Sequence, residues 1–334
     1  MSTVADALFA DLRGPRHRRA LGRAVTLLES ERPADRAAAD RLTELALRHG
    51  GNDALRIGIS GTPGVGKSTF IERFGLELIG AGHRVAVLAV DPTSSLSGGS
   101  ILGDKTRMDE LGRHPAAYIR PSPSSGHLGG VGPASRATIL LCGAAGYDRV
   151  IVETVGVGQA EWQVHGMTDV FLLLAQPAAG DELQGIKRGI LELADLVIVN
   201  KADLLPDAAK QTAQELRRSL HLAPARADDW AVPVLLASAL TGKGLPKILD
   251  VLGGYAGAVP TQNSRVVTRR AGQLETWVRE RCAGRLQRAL TAYLDGKREQ
   301  TDGFRSLLDE PASLSSATDV LLLDFLHNVN LTDT

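Results

Sequence analysis

The sequence predicts an α/β fold in which a mostly parallel, doubly wound sheet carries helices on both faces, with a helical extension before it and a helical arm after it. Short apolar runs recur at Leu55 to Ser60, Val85 to Asp91, Val150 to Glu153, Val170 to Ala175, Leu196 to Asn200 and Val234 to Ser238. They are continuous rather than alternating, as strands covered on both faces must be. Between them lie stretches of helical periodicity: Ser68 to Ile79, Ala134 to Leu141, Leu183 to Leu193, Ala208 to Leu220 and Leu245 to Leu252. Strand alternating with helix is the pattern of parallel crossover units.

The flanks read differently. From about Pro15 to His49 apolar residues such as Leu21, Val25, Leu28, Leu42 and Leu45 recur at helical spacing, with an interruption near Pro33 and a stop at Gly50 and Gly51. Past Pro260 the pattern is wholly helical, with Leu274, Trp277, Val278, Cys282 and Leu286 on one stripe, a break around Gly303, and an apolar stretch from Val320 to Leu326. The expected organisation is an N-terminal helical extension over 1–52, an α/β domain over 53–259 and a C-terminal helical arm over 260–334. Two Ser/Gly/Pro-rich stretches, Thr93 to Gly103 and Pro121 to Pro133, fall inside the α/β region and read as functional loops rather than linkers.

With 334 residues, 43% of them hydrophobic, the chain can bury a sizeable core. Lys+Arg and Asp+Glu both number 38, so no global field favours nucleic acid or a membrane surface. Cys142 and Cys282 form no CxxC or Cys/His cluster, which argues against a disulfide framework or a structural zinc and fits a reducing cytosol. The arginines at 13, 16, 18, 19 and 23 read as a solvated helix face rather than a transit peptide, since Asp6 and Asp11 lie nearby. No apolar run reaches membrane-spanning length, so a cytoplasmic protein is expected.

Gly61-Thr-Pro-Gly64-Val65-Gly66-Lys67-Ser68 matches the phosphate-loop pattern and lies between an apolar strand and an amphipathic helix, where the chemistry needs it. Its glycines let consecutive backbone N–H groups turn toward phosphates, and the helix N-terminus adds its dipole. Lys67 would reach the β- and γ-phosphates, Ser68 would ligate Mg²⁺, and Thr69 would touch the α-phosphate. Residues 53–259 are therefore expected to be a P-loop nucleoside triphosphatase domain.

Asn200-Lys201-Ala202-Asp203 follows the strand at Leu196 and sets the base. A carboxylate at Asp203 can accept from guanine N1–H and its exocyclic amino group, whereas adenine presents no such pair of donors. Ser238-Ala239-Leu240 would add a backbone N–H to guanine O6, and Lys201 would lie along the base plane. The expected ligands are thus GTP and GDP.

Glu153 ends a strand ahead of Thr154, Val155 and Gly156. Its carboxylate would hold an Mg²⁺-bound water, and Gly156 would sense the γ-phosphate through its N–H. Asp91 and Asp104 are further candidates for the metal shell or the attacking water. Val157 occupies the place where a water-orienting glutamine would follow that glycine, and Gln159 comes two residues later. Slow intrinsic hydrolysis is the expectation.

The runs Val90-Asp-Pro-Thr-Ser, Ser97 to Met108, Glu153 to Gln159 and Gly180-Asp-Glu-Leu-Gln-Gly-Ile-Lys187 closely resemble the methylmalonyl-CoA mutase-associated GTPases. The resemblance covers roughly Ile57 to Ala239, and the flanks match that family in character. It implies a homodimeric GTPase chaperone of an adenosylcobalamin-dependent acyl-CoA mutase that gates cofactor loading from an adenosyltransferase and guards the mutase against inactivation. It also implies switch segments at Asp91 to Arg107, Glu153 to about His165 and Pro177 to Arg188. Asp181 and Lys187 in the last of these would respond to the partner and join Lys67, Asp104 and Glu153 as candidate catalytic residues. Ala160 to His165, with Trp162 and His165, departs from the smaller residues expected there.

His127 invites comparison with a cobalt-ligating Asp-x-His-x-x-Gly pattern, but Ser125 stands at the acidic position. No tightly bound cobalamin is expected on this chain. The rival readings are a nickel-insertion GTPase, which usually brings a His- or Cys-rich metal site, an ATP-dependent kinase of transport proteins, which the guanine motif disfavours, and a binding module in which GTP is only structural.

Overall fold

The structure is a computed structural model of the whole chain, and it describes residues 3–14, 17–30, 32–50, 53–90, 108–122, 133–154, 160–177, 188–222, 226, 228–257, 260–299 and 322–326. Contacts divide the chain into two compact units, Met1–Arg270 and Ala271–Thr334.

The first unit is built on seven strands: β1 (Leu55–Gly61), β2 (Val85–Val90), β3 (Ala117–Ser122), β4 (Arg149–Thr154), β5 (Val170–Ala175), β6 (Leu196–Val199) and β7 (Val234–Leu236). They lie in the order β3-β2-β4-β1-β5-β6-β7, and every pairing is parallel. Chain progression runs toward β3 after β1 and toward β7 after β4, so the order reverses where β1 meets β4. The crevice beyond the carboxyl ends of the strands at such a reversal is where an open α/β sheet binds ligands.

The six strands expected from apolar runs are present within a residue or two of their expected ends. The seventh, β3, was not expected, because Ala-Tyr-Ile-Arg-Pro-Ser carries Arg120 and Pro121. Its place explains its composition: it is an edge strand paired only with β2, so a residue lacking an N–H is tolerated.

The helices, in chain order, are α1 (Val4–Asp11), α2 (His17–Leu28), α3 (Arg36–His49), α4 (Lys67–Gly80), α5 (Asp109–Arg113), α6 (Pro133–Ala144), α7 (Ala160–His165), α8 (Arg188–Leu193), α9 (Pro206–His221), α10 (Leu245–Ala256) and α11 (Ser264–Glu299). The helical extension contains one helix more than its periodicity suggested. Thr3 and Asp6 form a reciprocal capping box that starts α1, a local device invisible to an apolar count. The expected helix from Leu183 is described only from Arg188 onward.

The main core lies between the sheet and α4 and α10, where Phe70 and Phe74 stack with ring centroids 5.4 Å apart among Ile57, Ile59, Leu172 and Ile248. A second core under α9 and α8 gathers Leu173, Val197, Val199 and Leu216. On the β2–β4 side, α2 is tied to the edge strand by an ion pair between Arg120 and Glu29 at 2.7 Å.

At the amino ends of β5 and β6 two fully buried carboxylates receive the first turns of α11. Arg270 grips Asp169 through Nε at 2.7 Å and a terminal nitrogen at 2.6 Å, and Arg269 and Arg226 reach Asp195 at 2.6 and 2.7 Å. Backbone N–H groups of Arg56 and Phe171 also donate to these carboxylates, so their charge is met from several sides. In the second unit, Tyr293 packs edge-on against Phe325, with centroids 5.6 Å apart, and its hydroxyl bonds to Asp324.

Candidate functional site

The candidate site forms at the carboxyl ends of β1, β4, β6 and β7. β1 ends at Gly61, whose Cβ, if present, would lie 2.6 Å from the Leu174 carbonyl of the neighbouring strand, so only glycine lets the chain leave the sheet there. Gly64 and Gly66 adopt φ of +80° and +90°, the left-handed region that glycine occupies without strain. Gly66 caps α4, so Lys67, Ser68 and Thr69 occupy its first turn, with the backbone N–H groups that have no partner inside the helix. Val65 is fully buried and fixes the loop to the core. Lys67 Nζ donates to the Gly61 carbonyl at 2.8 Å and so lies back across the loop it serves.

The base-reading residues are joined to this loop by one side chain. Asn200, buried at the end of β6, donates from Nδ2 to the Val65 carbonyl at 2.9 Å and accepts at Oδ1 from the Ala239 N–H at 3.0 Å. The phosphate loop, the Asn200 to Asp203 loop and the Ser238 to Leu240 loop are therefore one hydrogen-bonded assembly. Of the backbone N–H groups of Ser238 to Leu240, that of Ala239 is engaged by Asn200.

Lys201 sits at φ +56°, an uncommon conformation for a residue with a side chain, and Nζ donates to the Gly64 carbonyl at 2.7 Å. That lays its side chain across to the phosphate loop. Asp203 is exposed, and Leu240 is 75% exposed. The Ser238 turn is closed by its own hydroxyl, which accepts from the Thr241 N–H at 3.1 Å.

On the other flank Glu153 is buried at the end of β4, paired in register with Ile59 of β1. Next to it Thr154 Oγ1 donates to Ser60 Oγ at 3.0 Å, which ties β4 to β1 directly ahead of the phosphate loop. Sequence reading missed this tie; the signal available was Ser60, a hydroxyl interrupting an apolar strand. A serine hydroxyl at the helix start and a strand-end carboxylate are hard oxygen donors, which suits Mg²⁺ better than a softer metal. Among the described residues no group of three or more His, Cys, Asp or Glu could hold a metal.

Asp91, Asp104, Gly156, Asp181 and Lys187, like His127, lie outside the described residues. No helix among those described is long and apolar enough to cross a membrane.

The family described as methylmalonyl Co-A mutase-associated GTPase MeaB matches residues 21–294. The GTPase ArgK of Escherichia coli is 45% identical over 280 residues, covering 84% of this chain and 83% of ArgK. The mouse mitochondrial methylmalonic aciduria type A homolog is 45% identical over 273 residues, 78% of this chain and 65% of that protein. A solved structure described as an LAO/AO transport system kinase superposes with a TM-score of 0.71 at 34% identity, covering 97% of this chain and 98% of that one. The phosphate loop, the guanine-type loop locked to it and this breadth of likeness together place the chain in the methylmalonyl-CoA mutase-associated GTPase family, as a P-loop enzyme that hydrolyses GTP.

Proposed function

We propose that this GTPase is a homodimeric chaperone of an adenosylcobalamin-dependent acyl-CoA mutase in the cytoplasm, gating cofactor loading from an adenosyltransferase and protecting the mutase. The family match across residues 21–294 supports the partner, and the mouse relative's name ties that protein to methylmalonic aciduria. The chain would act on cobalamin delivery without holding cobalamin tightly itself.

In this reading Ser68 and Glu153 hold Mg²⁺, directly and through water, with Asp91 and Asp104 as further candidates. Mg²⁺ would neutralise charge developing on the phosphates. Lys67 and the N–H groups of Gly64 to Thr69 hold the β- and γ-phosphates, and Asp203, Lys201 and the Ser238 to Leu240 loop hold guanine. Gly156 responds to the γ-phosphate, and Asp181 and Lys187 respond to the partner. The segment over 1–52 serves as an extension and that over 260–334 as a dimerisation arm.

The single observation behind partner dependence is Val157 in place of a water-orienting glutamine. With no side chain there to align the nucleophile, turnover by the chain alone is slow, and the mutase surface completes the site. GTP turnover measured with and without the cognate mutase tests this, and equal rates count against it.

A further inference from the structure

The short helix α7 begins directly after the Glu153 to Gln159 segment, and its seat on the sheet is unusually specific. Gly58, in the middle of β1, has no side chain beneath it: a Cβ there would lie 2.8 Å from Phe171 Cδ2, 2.8 Å from Thr168 Oγ1 and 3.0 Å from Val164 Cγ1. The bare backbone of Gly58 is what lets Val164 and Thr168 press onto the sheet, and both are fully buried. Thr168 Oγ1 also donates to the Val164 carbonyl at 2.8 Å and so closes the carboxyl end of the helix.

The last residue of α7, His165, sets its imidazole edge-on against the same Phe171 ring, with centroids 5.9 Å apart at 72°. Burial pushes its pKa down to about 4, with Arg269 and Arg226 adding to the effect and Asp195 opposing it. The ring is therefore neutral at physiological pH and works as a packing wedge. At the other end Ala160 is fully buried, and five positions earlier in the chain Val155 follows Thr154, which is itself fully buried and tied to Ser60.

We propose that Gly58 and His165 are positioning residues for GTP hydrolysis, holding α7 flush on β1 and so fixing Ala160, with Thr154, as the buried anchors on either side of residues 155–159. Neither residue touches nucleotide. They act through the placement of the segment carrying Gly156 and Gln159, and the inference rests on the reading that Gly156 meets the γ-phosphate. A helix displaced from its seat moves one anchor of a short span, and ångström-scale misplacement of catalytic groups costs on the order of 100-fold in rate. Most of the ground-state affinity resides elsewhere, in the phosphate loop and the Asn200 assembly, so moving the Gly156 contact weakens binding far less than it slows hydrolysis.

The test separates the two quantities. Gly58→Ala pushes α7 away from below, His165→Ala removes the wedge, and His165→Gln keeps a polar group while losing the aromatic edge; thermal unfolding identifies the variants that keep the fold. Binding of a fluorescent GTP analogue and single-turnover hydrolysis per bound GTP are measured with Mg²⁺, alongside Gly156→Ala. Affinity within about threefold of wild type with hydrolysis reduced roughly tenfold or more is expected for the folded variants. Wild-type hydrolysis in them, or affinity falling in parallel with rate, overturns the proposal. Should Gly156→Ala also hydrolyse normally, the reading of Gly156 fails as well; should it alone lose hydrolysis, only the role given to Gly58 and His165 fails.

Discussion

Replacing Asn200 by alanine should open the nucleotide site from behind. The side chain is 1% exposed and makes two hydrogen bonds, to the Val65 carbonyl at 2.9 Å and from the Ala239 N–H at 3.0 Å. Alanine removes both partners without supplying water in their place. A buried polar group left unsatisfied costs about 1–3 kcal/mol, so two give roughly 2–5 kcal/mol after partial relaxation. For a domain of this size about 1 kcal/mol moves the melting temperature by roughly 2–4 °C, so a fall on the order of 5–15 °C is expected. The same change unhooks the base-reading loops from the phosphate loop, so added GTP should stabilise the variant far less than the roughly 2.7 kcal/mol that a ligand at a hundred times its Kd confers. Thermal unfolding with and without GTP measures both effects. A variant that melts within about 1 °C of wild type and keeps its GTP-induced shift would refute the assembly as described.

Lys67→Ala should lower calorimetric GTP affinity by about 100-fold or more while the protein still unfolds cooperatively, since the residue lies in the first turn of a helix end rather than in the core. Asp169→Ala takes the carboxylate from Arg270 and from the Arg56 N–H and should cost about 3–5 kcal/mol in denaturant unfolding, and a loss under about 1 kcal/mol would mean that neutral partners such as the Ala54 carbonyl suffice for the guanidinium. His165 contributes to the acid limb of stability. Its folded pKa of about 4 lies below the ordinary 6.5, so the unfolded chain binds the proton more readily. Its contribution is therefore complete above about pH 6.5 and lost as pH falls toward 4, reaching roughly 2 kcal/mol of destabilisation by pH 5. Denaturant unfolding at pH 7.5 and pH 5 should show the wild type losing more stability than His165→Gln by about that amount, the fall that His17 causes in the same range being common to both.

The strands that bear the site were legible because both faces of a parallel sheet are covered, which leaves unbroken apolar runs such as Val170 to Ala175. Glycines with positive φ, as at Gly64 and Gly66, mark a turn that few other residues can make. β3 was not legible, because an edge strand needs neither an apolar run nor a full set of N–H groups. The role of Asn200 as a bridge was hidden for a different reason: its partners, Val65 and Ala239, are distant in sequence and contribute backbone atoms, which leave no mark on residue type. The seat of α7 on Gly58 is of the same kind, a contact defined by an absent side chain.

The central claim is that this crevice reads guanine, and the most direct measurement is the affinity of wild type and Asp203→Ala for GTP and for ATP in the presence of Mg²⁺. A site built to satisfy guanine's donors should favour GTP by roughly 10⁴-fold, and Asp203→Ala should lose most of that margin by weakening GTP alone. Wild-type affinities within about tenfold of each other, or discrimination that survives Asp203→Ala, would contradict the account.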